Sequence, residues 1–265
     1  MASPRTIRKE KLGKTVFSVV EKDGLFFGLA DRAIVSEEAT ADMAWKSLMM
    51  SVGETMGRYI GWEGAQKLFL HYYPGGFGGA AFSERPYKLK AKEKLDTQVP
   101  LEAALAGTGD PEAALSVFRA TDMLYPIEKS RVQEVLRSPR ANDFIQASAN
   151  FASGDRKQSL RELHRILSPF EANKWTIVTY LPFLWNPFKH MFLKPDATKD
   201  FAERVGHRFA NAYNTDLDLR TYDALLDLAE MATERLSELA PRDNIDIQSL
   251  IWVVSGAYNG EKPRI

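Results

Sequence analysis

Residues 14–30, KTVFSVVEKDGLFFGLA, decide the N-terminal part of the fold. Two runs rich in β-branched and aromatic residues, which favour strands, flank the pair Asp23-Gly24. Both residues of this pair tolerate the positive φ angles that a tight hairpin turn requires. The stretch therefore predicts two antiparallel strands joined at Asp23 and Gly24.

After the hairpin, the spacing of apolar residues changes from that of a strand to that of a helix. Ser36 is followed by two glutamates, a pattern that is typical of a helix N-terminus. Ala41, Trp45 and Leu48 then share one helical face. A second segment, Trp62–Tyr73, has the same periodicity. We therefore predict two helices here, the first of them beginning near Ser36.

Most of the remaining chain has helical periodicity that glycine and proline interrupt. Asp110 followed by Pro111 is typical of an N-cap and a first helical residue. The last element, Ile245–Val254, is either a helix or a strand, and as a helix it is capped by Asp243 or Asn244. The apolar, β-branched and aromatic segment Trp175–Tyr180 predicts a buried strand that ends at Pro182.

These patterns together predict an α+β fold that is predominantly α-helical, with an N-terminal β-hairpin packed on helices and a helical C-terminal half. We predict two regions. Residues 1–107 contain the hairpin, helices and a glycine-rich basic loop, and residues 108–265 are mainly helical. Because no long linker separates them, we expect the two regions to share one core. A chain of 265 residues is long enough to bury such a core.

The composition excludes several kinds of chemistry. The chain has no cysteine, which rules out disulfides, thiolate catalysis and cysteine-bound zinc or iron–sulfur clusters. No two of its four histidines are spaced to bind a metal from one helix, and no hydrolase motif occurs. The sequence therefore assigns no catalytic residue, no metal and no cofactor.

The sequence also indicates a compartment. The basic N-terminus is not followed by the apolar core of a signal peptide. We expect it to be a solvated, frayed end, and the alternative is an arm that contacts nucleic acid. The most apolar stretch, residues 175–193, contains two prolines together with Asn186, Lys189 and His190, too many interruptions for a membrane span. We therefore predict a cytoplasmic protein without membrane contact.

The net charge is zero because a basic first part cancels an acidic last part. Residues 1–100 carry 15 Lys and Arg against 12 Asp and Glu, whereas residues 201–265 carry 7 against 11. The densest basic segment, residues 85–94, follows a glycine-rich loop and has aromatic neighbours, as anion sites do. The candidate anion contacts are Arg85, Lys88, Lys90, Lys92, Lys94, Gly75 and Gly76, and the candidate aromatic platform is Phe77 and Tyr87. The alternative for this segment is a solvated loop followed by an exposed charged helix.

The segment YLPFLWNPFKHMFLKP, residues 180–195, has the most unusual composition in the chain. Its aromatic residues are either a part of the core or a surface for a partner. In the second case Trp185, Phe188 and Phe192 are the contact residues.

The C-terminal third carries a resemblance. The residues are Trp175, Thr179–Phe183, Pro187, His190–Pro195, Tyr222, Arg242, Asp243 and Asp246–Trp252. This pattern resembles a segment of uncharacterised bacterial proteins that are associated with restriction and phage-defence loci. The resemblance implies an intracellular bacterial protein that works near nucleic acid, and it transfers no catalytic residue.

We therefore expect a protein that binds a polyanion, either nucleic acid or a nucleotide, and that does not act as an enzyme. One alternative is a structural or regulatory subunit whose acidic C-terminal face contacts a protein partner or a second copy. Another is a nucleic-acid-processing enzyme whose site combines His71, Tyr72, Glu84 and Arg85.

Overall fold

A computed structural model describes residues 4–12, 15–56 and 61–256, apart from the side chains of residues 12 and 50–56. The fold is α+β and mostly helical, as predicted. In the part of the chain that the structure describes, a four-stranded antiparallel sheet precedes thirteen α-helices.

The sheet is a meander of four neighbouring strands in chain order. The strands are β1 (Arg5–Leu12), β2 (Thr15–Lys22), β3 (Leu25–Ala30) and β4 (Ala33–Glu38). The predicted hairpin is β2 and β3, and its turn residues Asp23 and Gly24 have φ angles of 53° and 82°. The expectation of a frayed N-terminus is wrong for residues 5–12, because β1 pairs along its length with β2.

Helix α1 (Ala41–Met56) packs on one face of this sheet. Phe17 of β2 and Leu48 of α1 form the centre of a small apolar cluster between them. The prediction that this helix begins near Ser36 is wrong, since Ser36 belongs to β4 and its hydroxyl donates a hydrogen bond to the Ala44 carbonyl at 2.9 Å. Thr40 takes the capping role instead, because its Oγ1 accepts from the Met43 N–H at 3.2 Å.

The rest of the described chain is helical. The helices are α2 (Trp62–Tyr72), α3 (Pro86–Gln98), α4 (Leu101–Leu105), α5 (Pro111–Phe118), α6 (Pro126–Leu136), α7 (Ala141–Ser153), α8 (Arg156–Leu167), α9 (Trp175–Trp185), α10 (Pro195–Val205), α11 (Phe209–Ala212), α12 (Leu219–Arg235) and α13 (Asn244–Val254). The predicted caps are confirmed, because Asp110 accepts backbone hydrogen bonds at the start of α5 and Asp243 at the start of α13.

The predicted strand at Trp175–Tyr180 is wrong, because these residues begin α9. All eleven residues of α9 are buried, so the helix has no polar face. A continuous apolar run of this kind has the same signature in a buried strand and in a buried helix. Pro182 lies inside α9, and its carbonyl still accepts a hydrogen bond from the Asn186 N–H at 3.0 Å.

The helices from α2 to α13 share one hydrophobic core. Its buried members run from Ala65 to Val254, and α9 contributes the largest continuous set. The predicted division at residue 107 stays a prediction. Among the described residues, no helix is long and apolar enough to cross a membrane.

Candidate functional site

Four of the predicted anion contacts lie on α3, and three of these, Lys88, Lys92 and Lys94, donate hydrogen bonds to other groups of the protein. Lys88 is 1% exposed, and its Nζ donates to Ser249 Oγ at 2.7 Å and lies 3.5 Å from Glu84 Oε2. Burial lowers the pKa of Lys88 to about 8, although the nearby Glu84 carboxylate opposes this shift. In this position the Lys88 ammonium is closed off from a phosphate in solvent.

Arg85 forms an ion cluster at the start of α13 with the buried carboxylates of Asp243 and Asp246, which the half-exposed Arg242 joins through Asp246. The Arg85 guanidinium donates two hydrogen bonds of 2.7 Å to the Asp243 carboxylate and one of 3.0 Å to Asp246. Arg242 donates to both oxygens of Asp246, at 2.8 Å and 3.0 Å, and to the Phe77 carbonyl at 3.0 Å. Burial alone would lower the pKa of Arg85, but the two carboxylates raise it. The charge of Arg85 is thus already compensated.

The three remaining lysines of the segment point in different directions, as alternate residues of a helix do. Lys90 is exposed. Lys92 donates to Asp96 at 2.7 Å and to the Trp185 carbonyl at 3.4 Å, and Lys94 donates to the Ser116 carbonyl at 3.3 Å. The segment therefore has no row of free cations.

In the glycine-rich loop Gly76 and Phe77 are buried, whereas Gly75 and Gly78 are exposed, and Tyr87 of the predicted platform packs against the core. Gly75 precedes a 3-10 turn over Gly76–Gly78, and Gly76 has a φ of 61°. The Phe77 ring is buried and packs 4.7 Å from the ring of Phe69. The Tyr87 hydroxyl donates to Glu84 at 3.1 Å. Phe77 therefore offers no open face for stacking a base, and Tyr87 is partly buried against the core.

The predicted partner residues separate into two groups. Trp185 and Phe192 are 7% and 1% exposed and belong to the core. Phe188 is 76% exposed and lies on the surface. The three side chains therefore do not form one surface.

Two residues of the alternative enzyme site, Glu84 and Arg85, bind other groups of the protein. Glu84 faces Lys88 and Tyr87, whereas its neighbour Arg85 faces Asp243. His71 is exposed at the end of α2. Within the described ranges, no group of three or more His, Asp or Glu is placed to hold a metal ion.

The structure offers a different basic surface on β1, which is an edge strand of the sheet. Arg5 pairs with Glu21 at 2.9 Å, and Arg8 pairs with Glu10 at 2.7 Å while its guanidinium covers the Trp45 ring of α1 at 3.9 Å. These two arginines are thus used within the sheet and its helix.

Lys9 and Lys11 lie on the opposite face of β1, away from α1. On the neighbouring strand β2, Lys9 pairs with Ser18 and Lys11 pairs with Val16. Phe17, which lies between Val16 and Ser18, points to α1. Both lysines are exposed, and neither has an ion pair or hydrogen bond to the described residues. Because Lys9 and Lys11 are two positions apart on a strand, their Cα atoms are about 7 Å apart.

Arg32 adds a third cation at the same end of the sheet as Lys11. It lies in the β3–β4 turn, which Asp31 ties to β2 through two hydrogen bonds of 2.8 Å with the Val16 backbone. Arg32 is exposed and, among the described residues, has no carboxylate partner. We call Lys9, Lys11 and Arg32 the basic edge.

The sequence offers the basic N-terminus as an arm that contacts nucleic acid, but it does not show which of its cations share a face, because that depends on β1 being a strand. The signal is the alternation Lys9-Glu10-Lys11, which places both lysines on one face once the segment is read as a strand.

No protein-family model, no curated protein and no solved structure matches the chain.

Proposed function

We propose that this protein binds nucleic acid through the basic edge. The observation that carries the proposal is that Lys9 and Lys11 are exposed, lie on one face of an edge strand and have no carboxylate partner in the described part of the chain. Unpaired surface cations of this kind neutralise phosphates and release condensed counterions.

The contacts expected at the basic edge are to the phosphate backbone. Lysine and arginine side chains on such a surface position the ligand without reading its bases. The zero net charge of the chain restricts this attraction to one region. The resemblance of the C-terminal third to proteins of restriction and phage-defence loci supports the same function, and a role in such a system is part of the proposal.

The test is a fluorescence anisotropy titration of labelled single- and double-stranded DNA and RNA at low salt. We expect the wild-type protein to bind and the triple variant Lys9→Gln, Lys11→Gln, Arg32→Gln to lose most of its affinity. The matched control is Lys90→Gln, Lys157→Gln, Arg161→Gln, which removes three exposed charges from the helical part. Equal binding by the two variants would refute the proposal.

A second candidate function is contact with a protein partner, which the apolar side chains of the sheet favour. Ile7, Leu25 and Ile34 are 40%, 40% and 65% exposed. We expect a partner to cover these three side chains, since exposed apolar surface often marks interaction sites. Light scattering at low and high salt tests self-association: a mass that stays monomeric at both salt concentrations would argue against a second copy as the partner.

A further inference from the structure

An open cavity of about 390 Å³ lies between α6, the 3-10 turn Ser168–Phe170 and the first turn of α9. This volume is within the range of about 300–1,000 Å³ that small-molecule sites have in proteins. Two acidic and two basic side chains line the cavity, namely Glu128, Glu171, Arg131 and Lys174. The charges of the lining therefore balance, and the cavity favours neither an anion nor a cation as a whole.

Two of these four charges compensate each other within the protein. The Arg131 guanidinium donates to the Glu171 carboxylate at 2.5 Å. A further carboxylate, that of Glu134, lies 3.6 Å from Arg131. We therefore assign no ligand contact to Arg131 or Glu171.

Glu128 has a carboxylate without an ion-pair partner among the described residues. Its Oε1 accepts from the Thr176 hydroxyl at 2.6 Å and its Oε2 from the Tyr125 N–H at 2.8 Å, and both donors are neutral. A carboxylate has about four lone-pair sites. About two of them thus remain for the N–H donors of a ligand.

Lys174, the residue before α9, supplies the free cation of the cavity. Its side chain is exposed, and within the described ranges its ammonium has no hydrogen-bond acceptor and no carboxylate partner. Thr176, which binds Glu128, is only two positions further along the chain. A free cation and a carboxylate without an ion pair therefore lie at the same end of α9 and line the same cavity.

The cavity also has an apolar wall. Ile127 lines it and is 64% exposed, and the buried Ile177 lies at its inner side. A ligand that covers Ile127 removes apolar surface from water, which stabilises the complex. The lining thus combines one positive, one negative and one apolar contact.

We propose that this cavity binds a free α-amino acid with an aliphatic side chain. The ammonium of the ligand donates to Glu128, its carboxylate accepts from Lys174, and its side chain covers Ile127. A ligand with a single charge would leave one of these two protein groups without its partner. The cavity shares no residue with the basic edge, so either proposal stands if the other fails.

The test is isothermal titration calorimetry of the full chain with leucine, glycine, isopentylamine and isocaproate. Isopentylamine is leucine without its carboxylate, isocaproate is leucine without its ammonium, and glycine lacks the aliphatic side chain. We expect saturable binding of leucine and binding that is weaker by about tenfold or more for each of the other three. This comparison uses the wild type alone and does not depend on the folding of a variant.

Lys174→Gln tests the carboxylate contact, and because this side chain is exposed the core stays intact. We expect the affinity for leucine to fall by about tenfold while that for isopentylamine, which has no carboxylate, stays unchanged. The matched control is Lys189→Gln, which removes another exposed lysine and should bind leucine as the wild type does. Ile127→Ser should reduce the preference for leucine over glycine.

Thermal unfolding establishes that each variant is folded. The proposal is overturned if leucine does not bind, or if isopentylamine or isocaproate binds as tightly as leucine. It is also overturned if folded Lys174→Gln binds leucine as the wild type does.

Discussion

Lys88 of α3 donates a hydrogen bond to Ser249 of α13, with Nζ and Oγ 2.7 Å apart in the core. The Ser249 hydroxyl donates to the Ile245 carbonyl, so its oxygen is free to accept from the lysine. Glu84 stands 3.5 Å from the same ammonium. A basic segment that looks like a ligand surface in the sequence therefore joins two helices that are far apart in the chain.

The buried Lys88 predicts how stability depends on pH. Its pKa is about 8 in the folded protein and 10.5 for an ordinary lysine, so between these values the unfolded chain binds more protons. The free energy of unfolding contributed by this residue therefore rises as the pH increases through this window, by up to about 3 kcal/mol. Urea unfolding of the wild type and of Lys88→Met between pH 7 and 10.5 measures this change in unfolding free energy.

Because Lys88→Met has no group to titrate at this position, other residues contribute equally to both proteins. We expect the difference in unfolding free energy between wild type and variant to change with pH in favour of the wild type. Parallel pH profiles would show that Lys88 is not desolvated in the folded protein.

The Arg85 cluster predicts a large cost for a single substitution. Arg85→Met leaves the buried Asp243 and Asp246 carboxylates with less compensation, and removal of one partner of a buried pair costs about 3–5 kcal/mol. The control is Arg165→Met, whose ion pair with Glu162 is exposed to solvent, so its loss should change the stability little. Urea unfolding of both variants gives the comparison, and equal costs would contradict the assignment.

His190 and Tyr222 form a buried pair with a defined tautomer. The Ala152 carbonyl can only accept, so His190 Nε2 carries the proton and donates at 2.9 Å, and Nδ1 accepts from the Tyr222 hydroxyl at 2.9 Å. Tyr222→Phe leaves Nδ1 without its donor, which we expect to cost about 1–3 kcal/mol. Tyr213→Phe, at a partly buried tyrosine, should cost less. Chemical denaturation measures both values, and similar losses would contradict this pairing.

The same pair predicts a loss of stability in mild acid. Burial lowers the pKa of His190 in the folded protein, so the unfolded chain takes up a proton first as the pH falls below about 6.5. We expect this loss to be smaller in His190→Gln. Identical pH profiles of the two proteins between pH 7 and 5 would show that His190 is not held neutral.

The packing of the sheet on α1 leaves no room for a methyl group at Gly28. A Cβ atom at Gly28 would lie 2.3 Å from Ser36 Oγ and 2.8 Å from Leu48 Cβ. Gly28→Ala should therefore destabilise this contact by about 1–3 kcal/mol. Gly78→Ala, where a Cβ meets nothing within 4 Å, is the control. Limited proteolysis of the N-terminal sheet reports the effect, and equal cleavage of both variants would contradict it.

Local signals were sufficient for the features that depend on a few neighbouring residues. The Asp23-Gly24 turn and the Asp110 and Asp243 caps are confirmed because the side chain or φ angle that makes each of them lies within the motif. The α9 prediction was wrong because a helix buried on all sides has no helical period of polarity.

The candidate site depended on contacts that no local pattern contains. Arg85 and Lys88 find their partners on α13, about 160 positions away, so the charge pattern of residues 85–94 could not show that these cations are neutralised. The arrangement of the basic edge could not be predicted for a different reason, although the N-terminus was one candidate for contact with nucleic acid. Lys9 and Lys11 become a surface only once β1 is known to be a strand.

The salt dependence of DNA binding tests the central claim most directly. For double-stranded DNA, each neutralised phosphate contributes about −0.9 to the slope of log K against log salt concentration, so three contacts at the basic edge predict a slope of about −3. We expect this slope for the wild type and for the variant that lacks Lys90, Lys157 and Arg161. The variant that lacks Lys9, Lys11 and Arg32 should show a slope near zero, and an unchanged slope would contradict the account.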